Sequence, residues 1–544
     1  MKKIHLILLS ILTGLLLSVG WPAKGFSFIL LFAFVPLLFV EDYHYKNRNN
    51  NSRFSVLFYA YLSLITWNLI TTWWIYYATL FGAIVAIVLN SLIMALAFFF
   101  FHVTRRNTLK GNFTKTGYAY LAFIAYWVTY EYLHLDWDLS WSWLNLGNGF
   151  SNYYKCIQWY EFTGTLGGSL WILLSNIFIF HVLKAVIERS HSRKNIILSL
   201  SGTLLFIIIP VAVSFYIYKS YNETSNPVDI VVVQPNIDPY NEKFGGMSTE
   251  LQIDKILNLA KKKLTPHTQF IVAPETALPE GVWIDQLKEV PSIIKIKALL
   301  KEFPKASVVL GASTYKLYKE KVNSTKTARD YPGVNASYDS YNSALFIDTS
   351  SNIRVYNKSK LVPGVEKMPF PKIFGFLEKF AIKLGGMSGT LGTQDERTAF
   401  SSAQNIKVAP VICYESIYGE FITGYVKNGA QLIFIITNDG WWNDTPGYRQ
   451  HCTYASLRAI ETRRSIARSA NTGISCFVNQ RGDRSQLTKW WQPDVISQTI
   501  NANDKLTFYV KYGDYIGSIC SYLSLLLALF TVTSIVINKR RKKL

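Results

Sequence analysis

Three reactive side chains each follow a short apolar run. Glu275 ends Phe270-Ile-Val-Ala-Pro-Glu275, Lys358 ends Val355-Tyr-Asn-Lys358, and Cys413 ends Val408-Ala-Pro-Val-Ile-Cys413. A fourth run, Leu432 to Thr437, leads into Asn438-Asp439. Short apolar runs of this kind read as buried strands, and in α/β sheets ligands and catalytic groups gather at the carboxyl ends of strands. A thiol with a pKa of about 8.5 is a modest nucleophile until a base removes its proton or a cation stabilises the thiolate. Glu275 supplies the base if desolvation raises its proton affinity, and Lys358 holds the thiolate and the oxyanion that develops on an attacked carbonyl. Attack gives a thioester, which an amine or water resolves.

Each residue alone has a plainer reading. A Cys after a buried strand is usually a small hydrophobe, a Lys is solvated surface, and a Glu before a helix is a cap or dipole partner. The three stand apart because all follow apolar strands within motifs rich in Pro, Gly and Trp. The competing arrangement is a histidine-assisted thiol. Of eight histidines only His267 and His451 lie between Pro227 and Lys511. His267 falls in a turn, and His451 adjoins Cys452, where helical neighbours do not face each other. The five cysteines, Cys156, Cys413, Cys452, Cys476 and Cys520, form neither a CxxC pair nor a disulfide framework. No metal-ligand spacing is present, and no cofactor is implied.

The elements that must carry these groups alternate. Val228–Val233, Gln269–Ala273, Ser307–Ala312, Asn342–Ile347, Arg354–Tyr356, Lys407–Ile412 and Leu432–Thr437 read as strands. Thr249–Lys263, Ser416–Lys427 and Gln450–Arg464 read as helices. Such alternation predicts a layered α/β domain over residues 227–511.

The rest of the chain is of another kind. Half of its 544 residues are hydrophobic and its net charge is +21, with a mean hydropathy of +0.15. These figures exclude a disordered tail or a small disulfide-knit secreted domain. Apolar runs at about Ile4–Val19, Phe26–Val40, Ser55–Tyr77, Thr79–Val103, Tyr118–Leu133, Phe162–Leu183, Ile196–Tyr218 and Tyr515–Ile537 approach the roughly 20 residues needed to cross a bilayer. The first two, joined at Trp21-Pro22, read either as two crossings or as a re-entrant hairpin. With the N-terminus inside, eighteen Lys and Arg fall in cytoplasmic segments against Lys24 and Lys155 in short outer loops. Allowing for Glu41, Asp42 and Glu188, those inner segments hold +15 of the +21. The basicity is therefore topological and gives no nucleic-acid footprint. No small-x-small cleavage site follows the first run, so it reads as a retained anchor. The expected division is a membrane domain over 1–220 with about seven spans, a catalytic domain over 227–511, and a closing span with a basic tail over 512–544. Both termini are cytoplasmic and the catalytic domain is extracytoplasmic.

Pro274-Glu275-Thr276, Tyr356-Asn-Lys358-x-x-Leu-Val-Pro363, Ile412-Cys413-Tyr414-Glu415 and Asn438-Asp439-Gly440-Trp441 resemble the nitrilase, or carbon–nitrogen hydrolase, superfamily with its Glu-Lys-Cys triad. With its spans, the chain resembles the membrane-embedded apolipoprotein N-acyltransferase family over essentially its whole length. Val233-Gln234-Pro-Asn236-Ile237, Trp141-x-Trp143-Leu-x-Leu-Gly147, Arg458-Ala-x-Glu461 and Arg468-x-x-Asn471-Thr-Gly473 add to the match.

The resemblance implies an αββα sandwich on a polytopic helical membrane domain. It makes Glu275 the general base, Lys358 the oxyanion stabiliser and Cys413 the acyl-accepting nucleophile. Glu366 matches the family's second glutamate, Tyr414 and Glu415 match pocket-shaping residues, and Asn438, Trp441 and Phe244 match substrate-side positions. Two features depart from the family pattern. Pro363-Gly364-Val365-Glu366 stands where many members have Pro-Phe-Gly-Glu, and Phe244 stands where Trp is frequent.

The implied reaction moves an acyl chain from the sn-1 ester of a phospholipid, phosphatidylethanolamine, through a Cys413 thioester. The acceptor is the α-amine of the N-terminal diacylglyceryl-cysteine of an apolipoprotein. The implied setting is a monomer in a bacterial inner membrane with its catalytic domain in the periplasm. Exposing acyl chains costs about 0.8 kcal/mol per CH₂, so such a site belongs at the bilayer surface. Trp137, Trp141, Trp143 and Trp159 suit that interfacial level. Two alternatives differ in class. One is a membrane-tethered amidase acting on a soluble substrate, for which a single span would suffice. The other is a transporter or receptor, which would place more ionisable residues inside its spans than Glu131, His102 and His181.

Overall fold

The computed structural model describes residues 1–108, 119–243, 246–320, 324–370 and 389–541. Phe244, Lys110, Lys115, Lys542 and Lys543 lie outside the described residues. The chain divides into two compact units, one made of residues 221–511 with Tyr77–Gly82, the other of the flanking segments.

The flanking unit is helical: α1 Lys3–Val19, α2 Val35–Lys46, α3 Phe54–Thr72, α4 Leu80–Thr108, α5 Ala119–Leu133, α6 Tyr160–Ile187, α7 Arg193–Ser220 and α12 Tyr515–Arg541. Among the described residues six helices are long and apolar enough to cross a membrane: Ser27–Lys46, Phe54–Tyr77, Leu80–Asn107, Tyr160–Ile187, Arg193–Ser220 and Tyr515–Asn538. Of the eight apolar runs in the sequence, the remaining two give α1, 17 residues long, and α5, 15 residues long. Helix α7 buries only Thr203 and Ser214, and its Leu198, Leu205 and Ile208 are more than half exposed. A helix that turns apolar side chains outward all round is suited to lipid, where its backbone groups are satisfied internally. The protein is a membrane protein. Its interior is aromatic: Trp67, Trp74, Trp127 and Trp143 are almost fully enclosed. Trp143 stacks on Trp141 at 5.5 Å and packs against Trp74 at 4.9 Å.

The other unit is two sheets between helices. The first sheet runs β14-β1-β2-β4-β6-β5, with β3 beside β4 and β7 beside β6. Its strands are β1 Pro227–Gln234, β2 Phe270–Val272, β3 Leu278–Trp283, β4 Ser307–Tyr318, β5 Arg329–Asp330, β6 Ser337–Ile347, β7 Arg354–Asn357 and β14 Asp494–Asn501. The second runs β13-β12-β11-β10-β9-β8, from β8 Phe400–Ser401, β9 Lys407–Ile412, β10 Leu432–Thr437, β11 Ser465–Ala470, β12 Cys476–Val478 and β13 Arg484–Ser485. The central pairs β1/β2, β2/β4, β9/β10 and β10/β11 are parallel. Parallel strands covered on both faces read as continuous apolar runs, as in the wholly buried Leu-Ile-Phe-Ile-Ile-Thr of β10. The sheets meet through pairs such as Phe270 on Phe434, ring centroids 5.1 Å apart.

Helices α8 Thr249–Lys261 and α9 Pro291–Glu302 pack Ile253, Ile256, Ile293 and Ile296 onto the outer face of the first sheet. Helices α10 Gly419–Lys427 and α11 Pro446–Thr462 belong with the second sheet. The result is the αββα sandwich. The expected helix over Ser416–Lys427 is interrupted: a 3₁₀ turn spans Cys413–Ile417, Tyr418 is extended, and α10 begins at Gly419. The interruption has a cause in the contacts of Glu415 and Arg458, described next.

Candidate active site

Each reactive residue sits just past a strand end. Glu275 follows β2 and Lys358 follows β7, both in the first sheet, while Cys413 follows β9 in the second. All three are buried. The backbone is bent sharply at two of these ends: φ is +48° at Cys413 and +49° at Thr276, just after Glu275. Left-handed backbone costs about 1–3 kcal/mol at a non-glycine residue and persists where the surroundings enforce it. Around Glu275 the enforcing contact is a close one. A Cβ on Gly311 of β4 would lie 2.3 Å from the Thr276 nitrogen, so the glycine is what lets the Glu275 loop lie against the sheet.

The Lys358 ammonium lies between two carboxylates, 3.2 Å from Glu275 Oε1 and 2.9 Å from Glu366 Oε1. Asn342, on β6, donates from Nδ2 to the same two oxygens at 2.7 and 2.9 Å. The other oxygen of each carboxylate is also used. Glu275 Oε2 accepts from the Asn438 backbone N–H at 3.0 Å, and Glu366 Oε2 accepts from the Val362 N–H at 2.8 Å. Asn342 was not visible as a site residue in the sequence, where it appears only as the polar start of an apolar run. Its place follows from the β6/β7 pairing, in which its carbonyl accepts from the Lys358 N–H at 2.8 Å.

The charges answer to these contacts. Burial pushes the Glu275 carboxyl up, but Lys358, the Asn342 amide and Lys243 together hold it below its ordinary value. The condition named for Glu275, that desolvation raise its proton affinity, is thus outweighed by these neighbours. Burial opposes the Lys358 charge, yet the Glu275 and Glu366 carboxylates raise its pKa. The Cys413 thiol is pushed well up by burial and by Glu275, against Lys358 and a hydrogen bond to Thr437. At rest the site therefore holds an ionised Glu275, an ionised Lys358 and a neutral thiol.

Glu415 joins the two sheets. Its Oε1 accepts from the Ser359 N–H at 2.7 Å and the Tyr356 hydroxyl at 2.6 Å, and its Oε2 accepts from the Ile412 N–H at 2.9 Å. One buried side chain thus fixes the residue after Lys358 to the residue before Cys413. Arg458 on α11, paired with Glu461, donates to the Ile417 carbonyl at 2.7 Å and holds the far end of the same turn. Tyr414 is buried with its ring edge-on to Tyr418, 5.3 Å away.

Asn438 serves Glu275 through its backbone, while its side-chain oxygen accepts from Asn471 at 3.2 Å. Trp441 lies in the 3₁₀ turn Asp439–Trp442, its ring edge-on to Tyr240 at 5.3 Å. Two sequence motifs bind each other: Gln234 Oε1 accepts from Ser475 and Thr488, and Asn471 bonds both N–H and C=O of Ile237. His451 touches the Cys413 backbone carbonyl oxygen, Nε2 at 3.2 Å. Among the described residues no group of three or more His, Cys, Asp or Glu is placed to hold a metal ion.

Comparison with known proteins follows this geometry. Residues 230–505 match the carbon–nitrogen hydrolase family model, and residues 13–178 match the apolipoprotein N-acyltransferase N-terminal domain. Curated relatives match end to end. The apolipoprotein N-acyltransferase of Chlorobaculum tepidum is 27% identical, covering 96% of this chain and 95% of that protein. The one from Geobacter metallireducens is 25% identical over 94% and 92%, and the one from Thermotoga maritima is 26% identical over 98% and 94%. The chain belongs to the carbon–nitrogen hydrolase family, and it joins that domain to the N-terminal domain of the apolipoprotein N-acyltransferases.

Proposed function

We propose that the chain is an apolipoprotein N-acyltransferase in which Cys413 carries the acyl group between two lipid substrates. Cys413 attacks the sn-1 ester carbonyl of a phospholipid, phosphatidylethanolamine, as Glu275 takes the thiol proton. Lys358 stabilises the oxyanion. Collapse breaks the ester C–O bond, Glu275 returns the proton to the leaving alkoxide, and a lysophospholipid departs. The α-amine of a diacylglyceryl-cysteine then attacks the thioester. An amide forms, the C–S bond breaks, and the amine proton passes by way of Glu275 to the sulfur.

The observation that carries this reading is the Lys358 ammonium shared by two carboxylates, with Lys358 and Glu275 both bearing on the buried Cys413 thiol. A buried, water-poor site also protects the thioester until the amine arrives. The many spans fit the substrates. Both remain in the bilayer, because exposing each CH₂ of their chains costs about 0.8 kcal/mol. We place the catalytic unit, residues 227–511, in the periplasm of a bacterial inner membrane, with both termini cytoplasmic and the protein acting as a monomer.

Incubation of the purified protein with labelled phosphatidylethanolamine, followed by peptide mass spectrometry, tests the assignment. The acyl adduct is expected on Cys413 and is discharged by a diacylglyceryl peptide. An adduct on another residue, or transfer with no adduct, refutes it.

A further inference from the structure

We propose that the buried Arg468–Asp439 ion pair is a positioning hub for the nucleophile, reaching Cys413 by two arms, His451 to its carbonyl and Thr437 to its sulfur. The inference rests on the reading of Cys413 as the acyl carrier.

Arg468 stands in the middle of β11 and Asp439 just past β10, the adjacent parallel strand. Both side chains are fully enclosed, and Arg468 Nη2 donates to Asp439 Oδ2 at 2.9 Å. A buried ion pair contributes little stability over well-packed apolar residues, so its presence beside a reactive thiol calls for another use. The packing is built around it. A Cβ on Gly473 would lie 2.3 Å from Asp439 Oδ2, so that glycine leaves the carboxylate its room.

The first arm has a defined proton. His451 Nε2 lies 3.2 Å from the Cys413 carbonyl oxygen and 2.8 Å from Ser416 Oγ. The carbonyl can only accept, and the single Ser416 hydroxyl proton is directed to that carbonyl at 2.7 Å. Nε2 therefore bears a hydrogen. On its other edge Nδ1 lies 3.1 Å from Asp439 Oδ1 and 3.0 Å from Arg468 Nη2. A neutral imidazole accepts there from Arg468 and a protonated one donates to Asp439, so the ring stays anchored to the hub in either state.

The second arm is shorter. Thr437 Oγ1 donates to Asp439 Oδ1 at 2.9 Å while Cys413 is a thiol, and its one proton turns to the sulfur when Cys413 ionises, a bond that lowers the thiol pKa. Despite burial, Arg468 and His451 hold the Asp439 carboxyl at about 2, so the hub keeps its charge at neutral pH.

Both arms act on a strained residue. Two donors on its carbonyl fix the Cys413–Tyr414 peptide plane, which is rigid, and so hold ψ of a residue whose φ of +48° already stands in the left-handed region. Arginine, aspartate, histidine and threonine thus set the direction of the thiol while touching no reacting carbon.

The test uses the full-length protein in detergent and measures single-turnover acylation of Cys413 by labelled phospholipid. A misplacement of about 1 Å costs roughly 100-fold in rate, so His451→Leu should slow acylation about 100-fold with the apparent KM for phospholipid little changed. His451→Gln, which offers an amide N–H to the same carbonyl, should recover most of the rate. Thr437→Val removes a bond to the thiolate, so the pH profile of Cys413 alkylation should move to higher pH, a shift that a purely structural role would not produce. Acylation by His451→Leu within threefold of wild type, no recovery in His451→Gln, or an unmoved profile in Thr437→Val overturns the hub. If His451→Leu does not fold, the alkylation profile of Thr437→Val decides alone, and an unmoved profile overturns the hub equally. Wild-type protein that never carries an acyl group on Cys413 overturns the proposed function as well. Normal wild-type acylation with an unaffected His451→Leu overturns the hub alone.

Discussion

Two buried clusters of ionisable side chains, one in each unit, differ in what their charges surround. In the helical unit Glu41 and Asp42 on α2 meet Arg105 on α4 and Lys184 on α6. Arg105 bonds both carboxylates, Lys184 lies 2.7 Å from Asp42, and His102 lies 2.8 Å from Glu41. The Arg105 guanidinium is further covered by the rings of Tyr45 and Tyr120, 4.1 and 4.9 Å away. Lys46 lies 3.2 Å from Asp42 as well, so three cations enclose the two carboxylates and none of these partners is a nucleophile. In the α/β unit Glu275 and Glu366 share the single Lys358, with a neutral thiol nearby. Lys243 also bears on Glu275, and these charges lie against a thiol that can give up a proton. Burial alone does not distinguish staple from catalyst. A nucleophile among the charges does.

Removing the thiol breaks the comparison most completely. Cys413→Ala should lower acyl transfer by at least about 10⁴-fold, in line with loss of a covalent nucleophile, while the protein stays folded and inserted. A transfer assay beside a thermal melt in detergent checks this, and residual transfer near the wild-type level would make Cys413 an ordinary buried cysteine.

Next is Glu275→Gln, which should act in opposite directions on two readouts. Loss of a general base should cut adduct formation roughly 10²–10⁴-fold. The same change removes a carboxylate that raises the thiol pKa and leaves Lys358 less neutralised, so alkylation of Cys413 by iodoacetamide at pH 7.5 should become faster. An unchanged alkylation rate would mean that Glu275 does not bear on the sulfur.

The helical cluster should answer in stability, with little change in chemistry. Arg105→Gln leaves Glu41 and Asp42 without their shared cation, a change that costs about 3–5 kcal/mol when a buried pair is broken. The melting temperature in detergent should fall, and turnover per folded molecule should remain close to wild type. A turnover loss on the scale of Glu275→Gln, with melting unchanged, would remove the distinction between the clusters.

The sequence discloses the strand-end residues and hides what joins them. Glu275, Lys358 and Cys413 are legible because each closes an apolar run, and β9 and β10 are read to their ends. Strand β11 is not, since Ser-Ile-Ala-Arg-Ser-Ala carries Arg468 at a position that only its pairing with Asp439 makes buriable. Asn342 is hidden for a related reason: nothing local shows that β6 and β7 bring it against both glutamates. The net shift at Glu275 is equally non-local. Desolvation follows from a buried strand end, but the opposing Lys358, Asn342 and Lys243 lie far from it in sequence. The interruption after Cys413 likewise depends on Glu415 and Arg458 reaching separate elements.

The smallest expected effect is a titration. Glu275 and Asp439 both have folded-state values below their ordinary 4.5 and 3.8, Asp439 reaching about 2. Depressed carboxyl groups contribute stability that is present above the unfolded value and is lost as pH falls through the folded one. For Asp439 the window runs from about 3.8 down to about 2, and linkage makes its full contribution about 2 kcal/mol. The α/β unit should therefore lose stability as pH drops below about 4.5, first through Glu275 and then through Asp439. Chemical denaturation from pH 6 to pH 3 measures the slope, and Asp439→Asn should flatten its lower part. An unaltered slope in Asp439→Asn would show that the Arg468 pair contributes nothing to acid stability, leaving orientation of Cys413 as its use.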